Sequence, residues 1–209
     1  MRLSKVIIIG FTVATLLVIL YMGYSFFGKT PELPYVGEPG HTVGQFSFQD
    51  QSGRTITEKN LDGKVAVVEY FFTTCPGICK VMNKNLYDVY KAYGKDPKFI
   101  MLSHTVDPEM DSVPVLAAYA EKMKVDNSSN WHFLTGNKYD LYKAARTDYL
   151  LAVEEADVKT GSENDFIHTQ YVALLDNNRR IRGFYDATDK QSIQKLLRDI
   201  KTLERSIDN

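Results

Sequence analysis

Residues 64–80, KVAVVEYFFTTCPGICK, contain both cysteines of the chain and join two different periodicities. Lys64 to Phe72 is a β-branched and aromatic run after the turn signal Asp62-Gly63, the composition of a buried strand. Beyond the cysteines, Met82, Leu86, Val89 and Tyr93 recur at helical spacing. A buried strand therefore runs straight into a helix, with Cys75 and Cys79 at the join. Pro76 favours an extended Cys75 and suits a first helical position, which predicts Cys75 at the N-cap and Cys79 one turn inside. Unpaired N–H groups and the positive end of the helix dipole meet there, and both favour thiolate over thiol.

Working outward, Phe99 to Val106 reads as a second strand, and Val113 to Met123 as a helix entered through Asp111-Ser112 with Pro114 in its first turn. Trp131 to Leu134 reads as a short strand and Tyr139 to Arg146 as a short helix. The segment 150–166 is acidic and reads as a solvated loop that Lys159-Thr160-Gly161-Ser162 could turn into a hairpin. Tyr171 to Leu175 and Ile181 to Tyr185 flank Asp176-Asn177-Asn178-Arg179, an antiparallel hairpin signal. Gln191 to Arg205 carries an apolar stripe of Ile193, Leu196, Leu197, Ile200 and Leu203. The order βαβαβαββα implies an α/β fold, a mixed central sheet covered by helices on both faces.

Upstream, Val6 to Phe27 is an uncharged apolar run of 22 residues. As a helix it reaches roughly 33 Å, enough to cross a hydrocarbon core. The run is longer than the apolar core of a signal peptide and lacks its small-residue ending, so it reads as an uncleaved single transmembrane helix. Arg2 and Lys5 keep the short leading end cytoplasmic and place everything after Phe27 outside. No Arg- and Ser-rich transit peptide fits before Val6, which points to a bacterial inner membrane with the C-terminal domain on the periplasmic side. Residues 1–28 are then the anchor, 29–45 a Pro- and Gly-rich juxtamembrane linker, and 46–209 one exported domain. The part beyond the anchor has 23 basic against 26 acidic residues, a formal charge of −3, and nothing in it suggests nucleic acid.

Two cysteines are too few to staple an exported domain of this size. Four positions apart on a helix, their Cβ atoms would lie about 5–6 Å from each other, which permits a shared metal ion and equally permits a redox-active disulfide. Spacing does not choose between them. Burial as two small apolar residues is the plainer reading, weakened because free thiols are uncommon in exported proteins. A metal would need a third ligand from His41, His104, His132 or His168. His41 lies in the linker and reads as solvated. His132, inside a strand, reads as a surface residue. His104, at the end of a strand that faces the functional crevice, and His168, in a polar stretch before Tyr171, are not ranked by periodicity.

Four segments together resemble the Sco (SenC) family: YFFTTCPGIC (70–79), LSHTVDPEMD (102–111), WHFLTG (131–136) and DFIHTQYVALLDNNRRIRGFY (165–185). The resemblance covers the anchor and nearly all of residues 46–205. It implies a thioredoxin-like fold, copper as the cofactor, and Cys75, Cys79 and His168 as the copper ligands, with His168 ahead of His104. Two thiolates and an imidazole form a soft donor set suited to Cu(I), whereas structural zinc normally takes four ligands. The implied function is that of a membrane-anchored copper metallochaperone. Its partners would be the copper-containing (CuA) subunit of cytochrome c oxidase and a thiol reductant. A thiol-disulfide oxidoreductase acting on that subunit's cysteines, or a copper or redox sensor, are the alternatives. The chain departs from the family pattern at Gly77-Ile78 and Lys80, and Ile167 stands directly before His168 while Asp165 lies three residues upstream.

Overall fold

The computed structural model describes residues 2–27, 32–151 and 169–207, with side chains of the first helix described from residue 7 to 23. The chain divides into two units, Met1–Glu32 and Leu33–Asn209. The first holds helix α1, Arg2–Phe27. Its apolar side chains are exposed on every side, among them Ile8, Phe11, Leu16 and Leu20. Among the described residues no helix is long and apolar enough to cross a membrane. The expected span of Val6 to Phe27 extends at both ends onto side chains outside that description.

The second unit is built on a seven-stranded sheet ordered β2-β1-β5-β4-β3-β6-β7. Its strands are β1 (Ser47–Asp50), β2 (Thr55–Thr57), β3 (Val65–Phe71), β4 (Phe99–Thr105), β5 (Trp131–Thr135), β6 (Tyr171–Leu175) and β7 (Ile181–Asp186). Strands β3, β4 and β5 run parallel, while β1 pairs antiparallel to β5, β6 to β3 and β7 to β6. The expected mixed sheet is present. β3 lies inside it with all seven residues buried, which is why its sequence is apolar on both faces apart from one residue, Glu69.

Helices α2 (Ile78–Tyr93), α3 (Val113–Lys122) and α5 (Lys190–Ile207) cover one face, where Met82, Leu86, Leu116, Ile193, Leu196 and Ile200 pack on Val67, Phe71, Met101 and Phe133. The other face is covered by α4 (Lys138–Lys143), which continues as a wide helical turn through Asp148, and by Phe46 and Leu61. Adjacent residues of β3 and β4 alternate between these two cores.

Two expectations need correction. Residues 33–45 are seated on the folded unit rather than hanging free as a linker. Val36 N–H bonds to the Ile181 carbonyl at 2.9 Å and Val43 N–H to that of Arg179 at 3.1 Å. Arg180 and Arg182 lie over the Tyr35 ring at 4.3 and 4.1 Å, and Val43 is fully buried. The β1–β2 hairpin on the sheet edge was also not expected from the sequence. The acidic loop, with its suggested hairpin at 159–162, lies outside the described residues.

Candidate metal centre

β3 and β4 end side by side, Phe71 opposite Thr105, and the chain leaves β3 toward the cysteines. Helix α2 begins at Ile78 with Gly77 as its N-cap, so Cys75 stands two residues before the cap and Pro76 outside the helix. The expected N-cap position of Cys75 is therefore shifted. The reason is local: Cys75 N–H closes a turn onto the Phe72 carbonyl at 3.3 Å, and Lys80 N–H closes another onto Gly77 at 3.1 Å.

Both cysteines are free thiols and both are buried. The Cys79 N–H donates to the Cys75 sulfur at 3.5 Å, so the sulfur takes the place of the missing side-chain cap. The two thiols differ in acidity. Burial opposes ionisation of Cys75, but hydrogen bonds from the Cys79 side chain and from the Cys79 and Gly77 backbone, with the Lys80 charge, outweigh it and bring the thiol below its ordinary range. Burial pushes Cys79 up to about 12, and its hydrogen bond with Cys75 and the nearby Cys75 and Glu69 charges act in the same direction. One sulfur is thus ready as a nucleophile or first ligand, and the other keeps its proton until a partner takes its place.

Beneath the pair lies a buried polar network that the sequence reading did not single out, although a lone acid in KVAVVEYFF was its signal. The Trp131 indole N–H donates to the Ser103 hydroxyl at 2.7 Å, and that hydroxyl donates to Glu69. With the Asn83 amide nitrogen assigned toward Glu69, it donates to both carboxylate oxygens at 2.9 and 3.1 Å while its oxygen accepts from Tyr119 at 2.7 Å. Asn83 is one helical turn beyond Cys79, so this network supports the same turn of α2.

The histidines separate clearly. His104 is fully buried on the opposite face of the sheet from the cysteines, stacked on Tyr70 at 5.1 Å and edged by Phe48 and Tyr149. Neither ring nitrogen has a hydrogen-bond partner among the described residues. Burial pushes its pKa down to about 3, the Glu69 backbone offsetting little of this. The sheet stands between it and the pair, so it is no ligand. His132 is not a surface residue as expected: it is buried, with Nδ1 3.1 Å from Asp50 Oδ2. His41 is not simply solvated, since Nε2 lies 2.9 Å from the Asp148 carbonyl oxygen. His168 lies outside the described residues, and among those residues no group of three His, Cys, Asp or Glu could hold a metal ion. What the described residues offer is two adjacent free sulfurs, a pair that fits a soft cation.

A family model described as SCO1/SenC matches residues 36–205. The crystal structure of a SCO1/SenC family lipoprotein from Bacillus anthracis is 29% identical, covers 78% of this chain and 95% of its own, and superposes with a TM-score of 0.65. Yeast Sco1 with copper bound is 26% identical, covering 77% of this chain and 89% of that one with a TM-score of 0.56. BsSco, described as a member of the Sco family of cytochrome c oxidase assembly proteins with a disulfide switch, is 22% identical. It covers 83% and 96% of the two chains with a TM-score of 0.64, and supports the thioredoxin-like fold. With a matching model over most of its length, and a free cysteine pair where a buried strand meets a helix, this chain belongs to the SCO1/SenC family.

Proposed function

We propose that this protein is a membrane-anchored copper chaperone that delivers copper to the CuA centre during cytochrome c oxidase assembly, using Cys75, Cys79 and His168 as ligands. The observation that carries the reading is the path by which the chain approaches the pair. β6 is antiparallel to β3, so the chain enters β6 at the end of the sheet where β3 leaves toward Cys75. Gln170, two residues after His168, accepts the Ala187 N–H at 2.8 Å, and the Ala187 carbonyl accepts from Asn85 of α2 at 2.9 Å. That places the approach to β6 beside the helix that begins at the cysteines. Three residues of extended chain span roughly 10 Å, which is reach enough for an imidazole to join them.

The copper-bound yeast relative supports copper as the cargo, and the donor set suits Cu(I), or Cu(II) with one further weak ligand. Loading requires both sulfurs reduced, so disulfide formation and metal uptake exclude each other and a thiol reductant gates the site. Helix α1, apolar on all sides, serves as the anchor, with the folded unit on the periplasmic face of a bacterial inner membrane. The lowered Cys75 thiol favours a second reading, thiol-disulfide exchange with the oxidase subunit's own cysteines.

One experiment separates the two. In one arm the copper-loaded full chain in detergent is mixed with the reduced, copper-free oxidase domain, in the other the reduced, metal-free chain is mixed with the disulfide form of that domain, and the acceptor is assayed for copper and for free thiols. Copper on the acceptor supports the chaperone. Newly reduced acceptor thiols without copper would replace that reading with the oxidoreductase.

A further inference from the structure

Asp111 is fully buried in the connection between β4 and α3, outside the candidate donor set. Three donors meet on its carboxylate. The Thr73 N–H reaches Oδ2 at 3.1 Å, the Thr73 hydroxyl reaches Oδ1 at 2.5 Å, and the Thr105 hydroxyl reaches Oδ2 at 2.5 Å. Asp111 is itself held, since its N–H bonds to the Asp107 carbonyl at 2.8 Å and Asp107 N–H returns to the Thr105 hydroxyl at 2.9 Å. The carboxylate thus ties the ends of two parallel strands to one loop.

The peptide between Phe72 and Thr73 carries the N–H that Asp111 grips. It also carries the carbonyl that accepts the Cys75 N–H at 3.3 Å. A peptide unit is planar, so gripping one edge sets the direction of the other. The Phe72 N–H, on the peptide just before it, faces the Cys79 sulfur. Asp111 therefore reaches Cys75 through one rigid plane and Cys79 through the Phe72 residue that the plane adjoins. On the far side of the turn a Cβ added at Gly77 would meet nothing within 4 Å, and the helix start there is held by the Lys80 N–H bond to the Gly77 carbonyl and the Cys75 sulfur rather than by a buried carboxylate.

We propose that Asp111 is a positioning residue for the cysteine pair. By fixing the Phe72–Thr73 peptide it holds the two sulfurs at the separation that disulfide closure and metal capture both require. The proposal rests on the reading of Cys75 and Cys79 as the working pair and explains what keeps them together. Loosening that plane lowers the effective concentration of one sulfur at the other.

The test uses the metal-free full chain in detergent, equilibrated with reduced and oxidised dithiothreitol. In that exchange the Cys75–Cys79 bond breaks and takes two electrons and two protons from dithiothreitol, which closes to its cyclic disulfide. Asp111→Asn shifts the equilibrium toward the dithiol by roughly five- to tenfold. Asp176→Asn is the control: that buried carboxylate serves Arg180 and Arg182 at the β6–β7 turn, so its loss lowers stability without touching the pair. Its equilibrium stays within roughly twofold of wild type. Should Asp111→Asn fail to fold, Thr73→Val, which removes one donor, shifts the equilibrium roughly threefold in the same direction.

A folded Asp111 or Thr73 variant that moves no further than Asp176→Asn overturns the proposal. Equal shifts in all variants overturn it too, since they would mean that stability alone sets the equilibrium. Copper binding is read separately on the wild-type chain. Its absence would defeat the proposed function and leave this result standing, whereas an unshifted Asp111→Asn in a copper-binding protein would defeat only the role of Asp111.

Discussion

Glu69 and the cysteines show how much chemistry a single buried side chain can impose. Burial pushes Glu69 up to about 8 from an ordinary 4.5, the Ser103 hydroxyl pulling part of the way back. The unfolded chain releases that proton above about 4.5, while the folded chain keeps it to about 8. Between those values the unfolded state binds fewer protons, so stability falls as pH rises and levels off above the window. Urea unfolding at pH 5 and pH 8 will show the wild type weaker at pH 8, by at most on the order of 3 kcal/mol for this group, the Asn83 amide bonds to the carboxylate reducing the difference. Glu69→Gln will flatten the difference; an unchanged slope would mean that Glu69 is ionised throughout. The two thiols supply a second prediction, because one lies below its ordinary range and the other is raised to about 12. Iodoacetamide near neutral pH will label Cys75 well ahead of Cys79, and Cys79→Ala, which removes a hydrogen bond to Cys75, will slow that labelling. Equal labelling of both would show that the asymmetry is absent.

Among the elements, those written in local patterns were legible before the structure: β3 and α2 from two adjoining periodicities, the β6–β7 hairpin from Asp176 to Arg179, and α5 from its stripe. Elements and side chains that depend on distant partners were not. SFQD and TIT are too short and polar to announce β1 and β2, which exist because Gln49 and Asp50 pair with Thr135 and Leu134 of β5. His132 reads as a surface residue until Asp50, 82 positions away, is seen beside it. Asp111 reads as a helix entry, and only the neighbouring ends of β3 and β4 turn it into a clamp on Thr73. His104 is the sharpest case, since the end of its strand does lie near the site while the alternation of side chains points its ring to the other core. Its ring is buried with no well-formed hydrogen bond among the described residues, a cost that an apolar side chain of similar size would not carry. His104→Leu will leave copper content unchanged and raise stability by about 1 kcal/mol. Loss of copper in that variant would return His104 to the ligand set.

At the scale of the whole molecule, the folded unit begins at Leu33, earlier than the Pro- and Gly-rich composition of the segment suggested, because long-range backbone hydrogen bonds and the two arginines over Tyr35 hold that segment down. The proposed centre would join two sulfurs to an imidazole that the sequence places 89 positions beyond Cys79. The most direct test is the copper content of the full chain, reduced and loaded anaerobically in detergent, measured by mass spectrometry beside Cys75→Ser, Cys79→Ser and His168→Ala. The account predicts about one copper per wild-type chain and a weakly held or absent ion in each variant. Retention of copper at wild-type affinity by His168→Ala would contradict it.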